Sequence, residues 1–389
     1  MERITIPYAV ADFIDLRERK FYYVDKTSFI PGLENYNAPV FLRPRRFGKS
    51  LLVSTLACYY DRTKADRFEE LFGGTWIGEH PTEEHSRYMI VRYDFSAMAM
   101  ADDMEGLERN FCHIDLQKAA GLEAYAQVFA FCSNAGRPGG GTERLLTEPL
   151  VLLRSEVEKN RSRIGFAANG AEALRLTEQG RIAALLSVEG CEVIGCDPGR
   201  LEWLREQGFC MLTLTWNADN ALAGWHGSAL GLTPRGRDFV REAQRLGLRI
   251  DVSHLSEAAF WQLMDCTQAP ILASHSNCRV LCDCTRNLTD DQLRSLAQTG
   301  GTVGLNLYPP FLGGRADFDT LRAHLEHMLT LCGEDHVALG GDLDGCDELA
   351  RGFTDVSSWA SFYAYLQAAG YPADLLDWIF FRNLLQLLQ

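Results

Sequence analysis

The sequence predicts an α/β protein: a TIM-type (β/α)8 barrel whose first strand is replaced, preceded by a partial phosphate-loop α/β segment. Three observations carry this expectation. Beyond about residue 105, short apolar runs alternate with helical patterns in the manner of repeated βα units. Three of these runs end in a metal-capable side chain: Glu189 after 183–188 (AALLSV), His254 after 248–253 (LRIDVS) and His275 after 271–274 (ILAS). Upstream, a strand-like run at 38–42 (APVFL) leads through RPRRFGKS into helix-like LLVSTLACYY.

The barrel strands are expected at 126–131, 183–188, 211–215, 248–253, 271–274, 302–307 and 336–339. Helical patterns at 235–246, 257–266 and 290–298 fall between them, and Thr289 ahead of Asp290 and Asp291 is a natural helix start. Seven strands leave an eight-stranded barrel one short, and 89–94 is the upstream run available to fill the place. The stretch 133–180 reads as an insertion in a βα unit. The polar, acidic segment 96–110 marks a change of domain, giving an N-terminal segment over 1–100 and a barrel over 105–389.

Composition narrows the function classes. The chain has 389 residues, is 47% hydrophobic and carries a formal net charge of −14. Such a balance argues against a nucleic-acid surface or an anionic membrane partner. No apolar run approaches the roughly 18–20 residues of a membrane span, and the charged start MERITIPYAVADFIDLRERK lacks the apolar core of a signal peptide. The twelve cysteines are scattered without paired C-x-x-C units and read as reduced thiols of a cytoplasmic protein.

Barrel strands all direct their C-terminal ends at one mouth. Glu189, His254 and His275 would meet there as a divalent-metal set, most naturally for zinc. The alternatives are a helix-capping carboxylate and two structural histidines. Asp342, in GGDLDG after the last strand, would orient a nucleophilic water or accept its proton, the alternative being an Asx-turn. Arg286 would hold a substrate carboxylate with its planar fork, unless it pairs with Asp283 or Asp290. Asn287, Trp216 and Tyr308 would line the same pocket. In the N-terminal segment, Gly48, Lys49 and Ser50 have the types and order of a phosphate loop, with ATP and Mg2+ as the implied ligands. The usual first glycine is replaced by Arg43.

From about residue 113 to its end the chain resembles the membrane (renal) dipeptidase family of zinc peptidases, through HIDLQKA with AQVFAF, SVEG, LTLTWNADN, DVSHLS, ASHSNCR, TRNLTD, GGDLDG and RNLLQLL. The resemblance implies a TIM barrel that hydrolyses dipeptides at a two-zinc centre. Glu189 would bridge the metals, His254 and His275 would complete one site, and Arg286 and Asp342 would contact substrate. It also implies a histidine where Trp216 stands. The family's first strand ends in a His-x-Asp pair for the other zinc, yet the expected place reads VRYDFSAMAM. One good zinc site and impaired activity are therefore expected, with His113 and Asp115 as the pair that would have to substitute. The first hundred residues resemble the start of a bacterial AAA-ATPase-like family, through YYVDKTSFI, FLRPRRFGKSLLVSTL and FEELFGG. The alternatives to a working peptidase are a nucleotide-binding protein and an inactive scaffold. The expected partner is a small dipeptide, with a homodimer left open.

Overall fold

The computed structural model describes residues 12–35, 49–89, 106–132 and 143–389. The chain divides into two compact units, residues 1–98 and 99–389. In the first, helix Phe13–Glu18 is capped by Asp12, and its first N–H donates to Ser54 of helix Lys49–Tyr60 at 2.9 Å. Phe13, Tyr59, Leu71, Phe72 and Ile77 form its small core. The strand expected at 38–42 lies outside the described residues. So does nearly all of the run at 89–94.

The second unit is built on a parallel sheet that curls as in a TIM-type barrel. Its strands are β1 (Ala126–Cys132), β2 (Ile164–Phe166), β3 (Ile182–Glu189), β4 (Phe209–Thr213), β5 (Arg249–Asp251), β6 (Leu272–Ala273), β7 (Thr302–Asn306) and β8 (Val337–Gly341). The order is β1-β3-β4-β5-β6-β7-β8, and β2 pairs with the start of β3. Fully buried runs such as Ala183–Val188 explain the continuous apolar pattern: a parallel strand covered on both faces has no polar side to show. Helices Pro234–Arg245, Glu257–Met264 and Asp290–Gln298 fill the connections, the last started by a capping box between Thr289 and Gln292.

The strands differ from expectation chiefly at β2, β4 and β5, the last covering only Arg249–Asp251 of the expected 248–253. β2 lies within the presumed insertion; three residues, one of them glycine, give too short a signal to separate from a loop. β4 begins two residues earlier than expected and ends at Thr213, because the carbonyl of Leu214 has already turned to accept the N–H of Cys191. Among the described residues, β1 and β8 are the end strands of the sheet. Their mouths are joined by loops: His113 donates its N–H to Asp344, whose own N–H meets His113 Nδ1 at 3.0 Å.

The opposite end is closed by helix Asn383–Leu387. Asn383 donates to the carbonyls of Glu334 and Val337, and Arg249 donates to that of Leu387, so the first residues of β5 and β8 are tied to the C-terminus. At the mouth the strands come very close. A Cβ on Gly304 or Gly340 would stand 2.0 or 2.2 Å from the Ser274 carbonyl oxygen, so only glycine fits beside the end of β6.

Asp115 is a structural residue. Its buried carboxylate caps helix Leu116–Ala119 through the Lys118 N–H at 2.7 Å, accepts the Asn110 N–H at 3.1 Å and pairs with the Lys118 ammonium. Burial opposes its ionisation, but Lys118 and the backbone donors outweigh burial and hold the carboxyl below its ordinary range. Asp115→Ala should destabilise the protein by about 2–4 kcal/mol, from loss of the cap and of the partner of Lys118. A carboxyl depressed in the fold stabilises fully above its unfolded pKa of about 4 and loses that contribution as pH falls through the folded value. The gap between wild type and Asp115→Ala in urea denaturation should therefore narrow below about pH 4; a gap constant down to pH 2 would contradict this.

Candidate metal centre

Glu189 closes β3, while His254 and His275 follow β5 and β6 by three and two residues. The curled sheet brings all three together. Glu189 Oε1 lies 3.0 Å from His254 Nε2 and 3.4 Å from His275 Nε2, and the two Nε2 atoms are 3.0 Å apart. Donor atoms bound to a tetrahedral zinc at about 2.0–2.1 Å stand about 3.3 Å apart. The triangle is of that size. Among the described residues it is the one group of three or more His, Cys, Asp or Glu with ligand spacing.

The hydrogen bonds behind the triangle set the donor character of its corners. His254 Nδ1 faces Asn217 Oδ1 at 3.0 Å, and an amide oxygen only accepts, so the proton sits on Nδ1. His275 Nδ1 is likewise taken, by Ser274 Oγ at 2.6 Å. Both imidazoles thus turn Nε2 toward Glu189. Two lone pairs and a carboxylate facing one point repel one another unless a cation or a proton lies between them. The donor set therefore fits a divalent metal with N and O ligands.

Electrostatics agree. Burial, followed by the nearby Arg286, pushes the His254 imidazole well below its ordinary pKa and keeps it neutral. Burial also works against a charge on His275, but Asp342 and Glu189 outweigh it and raise its pKa, so the same field favours a cation. Burial opposes the charge of Glu189, yet its two histidine neighbours outweigh burial and hold its carboxyl well below the usual range.

Asp342 follows β8 directly, at a left-handed φ of 60°; His254 is left-handed too, at 68°. A non-glycine residue held there is strained by order 1–3 kcal/mol, and such strain clusters at functional sites. Asp342 Oδ2 accepts from Asn306 Nδ2 at 3.3 Å. Burial raises its pKa, with Glu189 acting in the same direction. Arg286 is 5% exposed and belongs to no ion pair among the described residues, so the expected alternative with Asp283 or Asp290 does not occur. Its Nη2 makes a 3.4 Å bond to the His275 carbonyl, its guanidinium lies 5.2 Å from the Phe311 ring, and its Nε is buried without a partner.

Over residues 86–389 the sequence matches the family described as Membrane dipeptidase (Peptidase family M19). The chain belongs to the membrane dipeptidase family.

That family is one of peptide-bond hydrolases, and relatives extend along most of the second unit. An uncharacterized Klebsiella pneumoniae protein from the pqqA 5' region is 33% identical over 262 residues, 63% of this chain and 95% of its own. An uncharacterized dipeptidase of Schizosaccharomyces pombe is 34% identical over 213 residues, 53% of this chain and 52% of that protein. Against such longer dipeptidases the chain spans about half of their length. A solved metallopeptidase from Rhodobacter sphaeroides, liganded with a phosphinate mimic of L-Ala-D-Ala, superposes with a TM-score of 0.66 at 26% identity, covering 71% of this chain and 90% of that one. A second family, described as Predicted AAA-ATPase, matches residues 7–142 and so overlaps the dipeptidase match over 86–142.

Around the centre of this dipeptidase-family chain, Trp216 stands 6.3 Å, ring to ring, from His254. Tyr308 packs edge-on against Phe311, the ring that faces Arg286. Asn287 corrects the sequence reading. It is fully buried and spends its amide on the loop, accepting the Asn277 N–H and donating to the carbonyls of Cys282 and Phe311; no donor is left for a ligand. His113 and Asp115 stand with Asp344 and Lys118, outside the triangle. Gly48 and the side chains of Lys49 and Ser50 lie outside what the structure describes; Lys49 and Ser50 open helix Lys49–Tyr60.

Several neighbours escaped sequence reasoning. Asn306 holds Asp342. His226 donates its N–H to the His254 carbonyl at 2.7 Å, and burial with Arg286 nearby pushes its imidazole down to about 4. Cys132 pairs in register with Glu189 at the end of β1. The parallel register was the one signal that would have found Cys132; the others come from loops whose folding the strand pattern does not encode.

Proposed function

We propose that the protein is a zinc-dependent dipeptidase with one good metal site. The convergence of Glu189, His254 and His275 on one point carries this reading. Bound there, zinc would lower the pKa of a water and polarise the scissile carbonyl. Asp342, buried against the same face, accepts the water's proton and passes it toward the leaving amine; its raised pKa suits a group that must both take and release a proton. The Arg286 guanidinium, which belongs to no ion pair among the described residues and whose Nε has no partner, receives the C-terminal carboxylate of the dipeptide and sets its register. Trp216 and Tyr308 wall the pocket, the indole standing where the family resemblance implied a histidine. A pocket that ends on a buried cation selects short peptides with a free carboxylate.

The second half of a two-zinc centre has no His-x-Asp pair in the sequence expected to supply it, and His113 and Asp115 are committed elsewhere. Slow turnover with one metal per chain follows. Purified protein loaded with excess zinc and freed of weakly bound metal should retain about one zinc per chain and cleave Gly and Ala dipeptides slowly. Two tightly held zincs with ordinary peptidase rates would refute the impairment; no retained metal would refute the centre.

A further inference from the structure

Behind the metal triangle lies a carboxylate whose four hydrogen bonds all point inward. Asp251, the last residue of β5, is 4% exposed. Its Oδ1 accepts the N–H groups of Ser253 and Ser274 at 2.9 and 3.0 Å. Its Oδ2 accepts the hydroxyls of Thr213, at 3.2 Å, and Ser274. The backbone ladder between β5 and β6 consists of a single register pair, Asp251 with Leu272. Where that ladder stops, the Asp251 side chain continues it and ties together the two chain segments that present His254 and His275.

The direction of these bonds fixes more than position. A carboxylate only accepts, so the single Ser274 hydroxyl proton goes to Asp251. Ser274 Oγ then meets His275 Nδ1, at 2.6 Å, as an acceptor, and the proton of that bond must sit on Nδ1. The remaining bonds are consistent: Ser253 Oγ accepts the His275 N–H at 3.2 Å and donates its own proton to Ser274 Oγ at 3.3 Å. Every proton in the chain has one place to go.

We infer that Asp251 is a positioning residue which, through Ser274, imposes the Nδ1–H tautomer on His275 and so keeps the Nε2 lone pair turned to the metal. The inference rests on the metal reading of the centre. It makes a sharp distinction between charge and shape. In Asp251→Asn the two N–H groups of Ser253 and Ser274 retain the amide oxygen, which places the amide NH2 opposite the Ser274 hydroxyl. The bond reverses, Ser274 donates to His275 Nδ1, and the ring proton is forced onto Nε2, where it blocks the ligand position.

The test measures cobalt(II) affinity by the visible spectrum of the full-length protein, and the His275 tautomer by 15N NMR of metal-free, histidine-labelled protein above pH 8. Asp251→Asn should weaken cobalt binding by about 10–100-fold and move the His275 proton from Nδ1 to Nε2. Adding Asp251→Asn to Ser274→Ala should cause no further loss, because the connection is already cut. A purely architectural Asp251 would weaken binding equally in both backgrounds and leave the tautomer alone; either result overturns the proposal. Should Asp251→Asn fail to fold, Ser274→Ala must weaken cobalt binding and Ser274→Thr, which keeps the hydroxyl, must restore it; equal affinities of the two overturn the proposal. Wild-type protein that binds no cobalt refutes the metal reading, whereas the tautomer measurement still reads the relay.

Discussion

His254→Ala should abolish retention of the metal and lower dipeptide turnover by at least about 10³-fold, because the Lewis-acid contribution of a bound metal is worth several kcal/mol and each 1.36 kcal/mol is tenfold in rate. The expectation follows from the triangle itself. His254 Nε2 is 3.0 Å from both of its partners, so removing it leaves Glu189 and His275 as a two-point site. The Asn217 amide loses its partner as well. The stability readout separates the metal from the fold. Zinc at 100 times its dissociation constant should raise the stability of wild type by about 2.7 kcal/mol through binding linkage. The variant should fold in the absence of metal and show no such rise. A variant that retained zinc, or wild type that melted at the same temperature with and without it, would count against the centre.

Arg286→Met should lower kcat/KM for dipeptides by about 10²–10³-fold, from loss of a bidentate charge-assisted contact at about 1.5–3 kcal/mol per hydrogen bond. The same substitution should change cleavage of a dipeptide amide less than about threefold, since the amide offers no carboxylate for the guanidinium to lose. Stability should fall by no more than about 1 kcal/mol, because a buried charge without an ion-pair partner carries its desolvation cost in the folded state. Arg286 meets the protein through one long bond to the His275 carbonyl and the face of Phe311. An equal loss for the acid and the amide would show that the arginine shapes the pocket and does not read the carboxylate.

The sequence made the barrel legible because its strands are buried on both faces. AALLSV has no polar alternation to confuse with a surface strand, whereas in LRIDVS the alternating Asp251 and Ser253 are buried polar groups. The convergence of Glu189, His254 and His275 was legible for the related reason that a polar side chain ending such a run has one place to go, the mouth. Arg286, Asp342 and Asn287 were all nominated on their loop motifs, but TRNLTD shows only that two polar residues adjoin, not that Asn287 turns inward to hold the loop. Asn217, His226 and Asp251 act across chain separations of 20 or more residues, and no local pattern reports such contacts. β2 was missed for its length. The strand expected at 89–94 lies outside the described residues, so the first position of the barrel stays an expectation.

The left-handed backbone at His254 and Asp342 carries an evolutionary consequence. At both positions glycine would relieve the torsion, so selection for robustness alone would favour glycine, at the cost of one candidate ligand and of the proposed proton acceptor. On the proposed reading, a chain made more stable by glycine at either position would be a less active one.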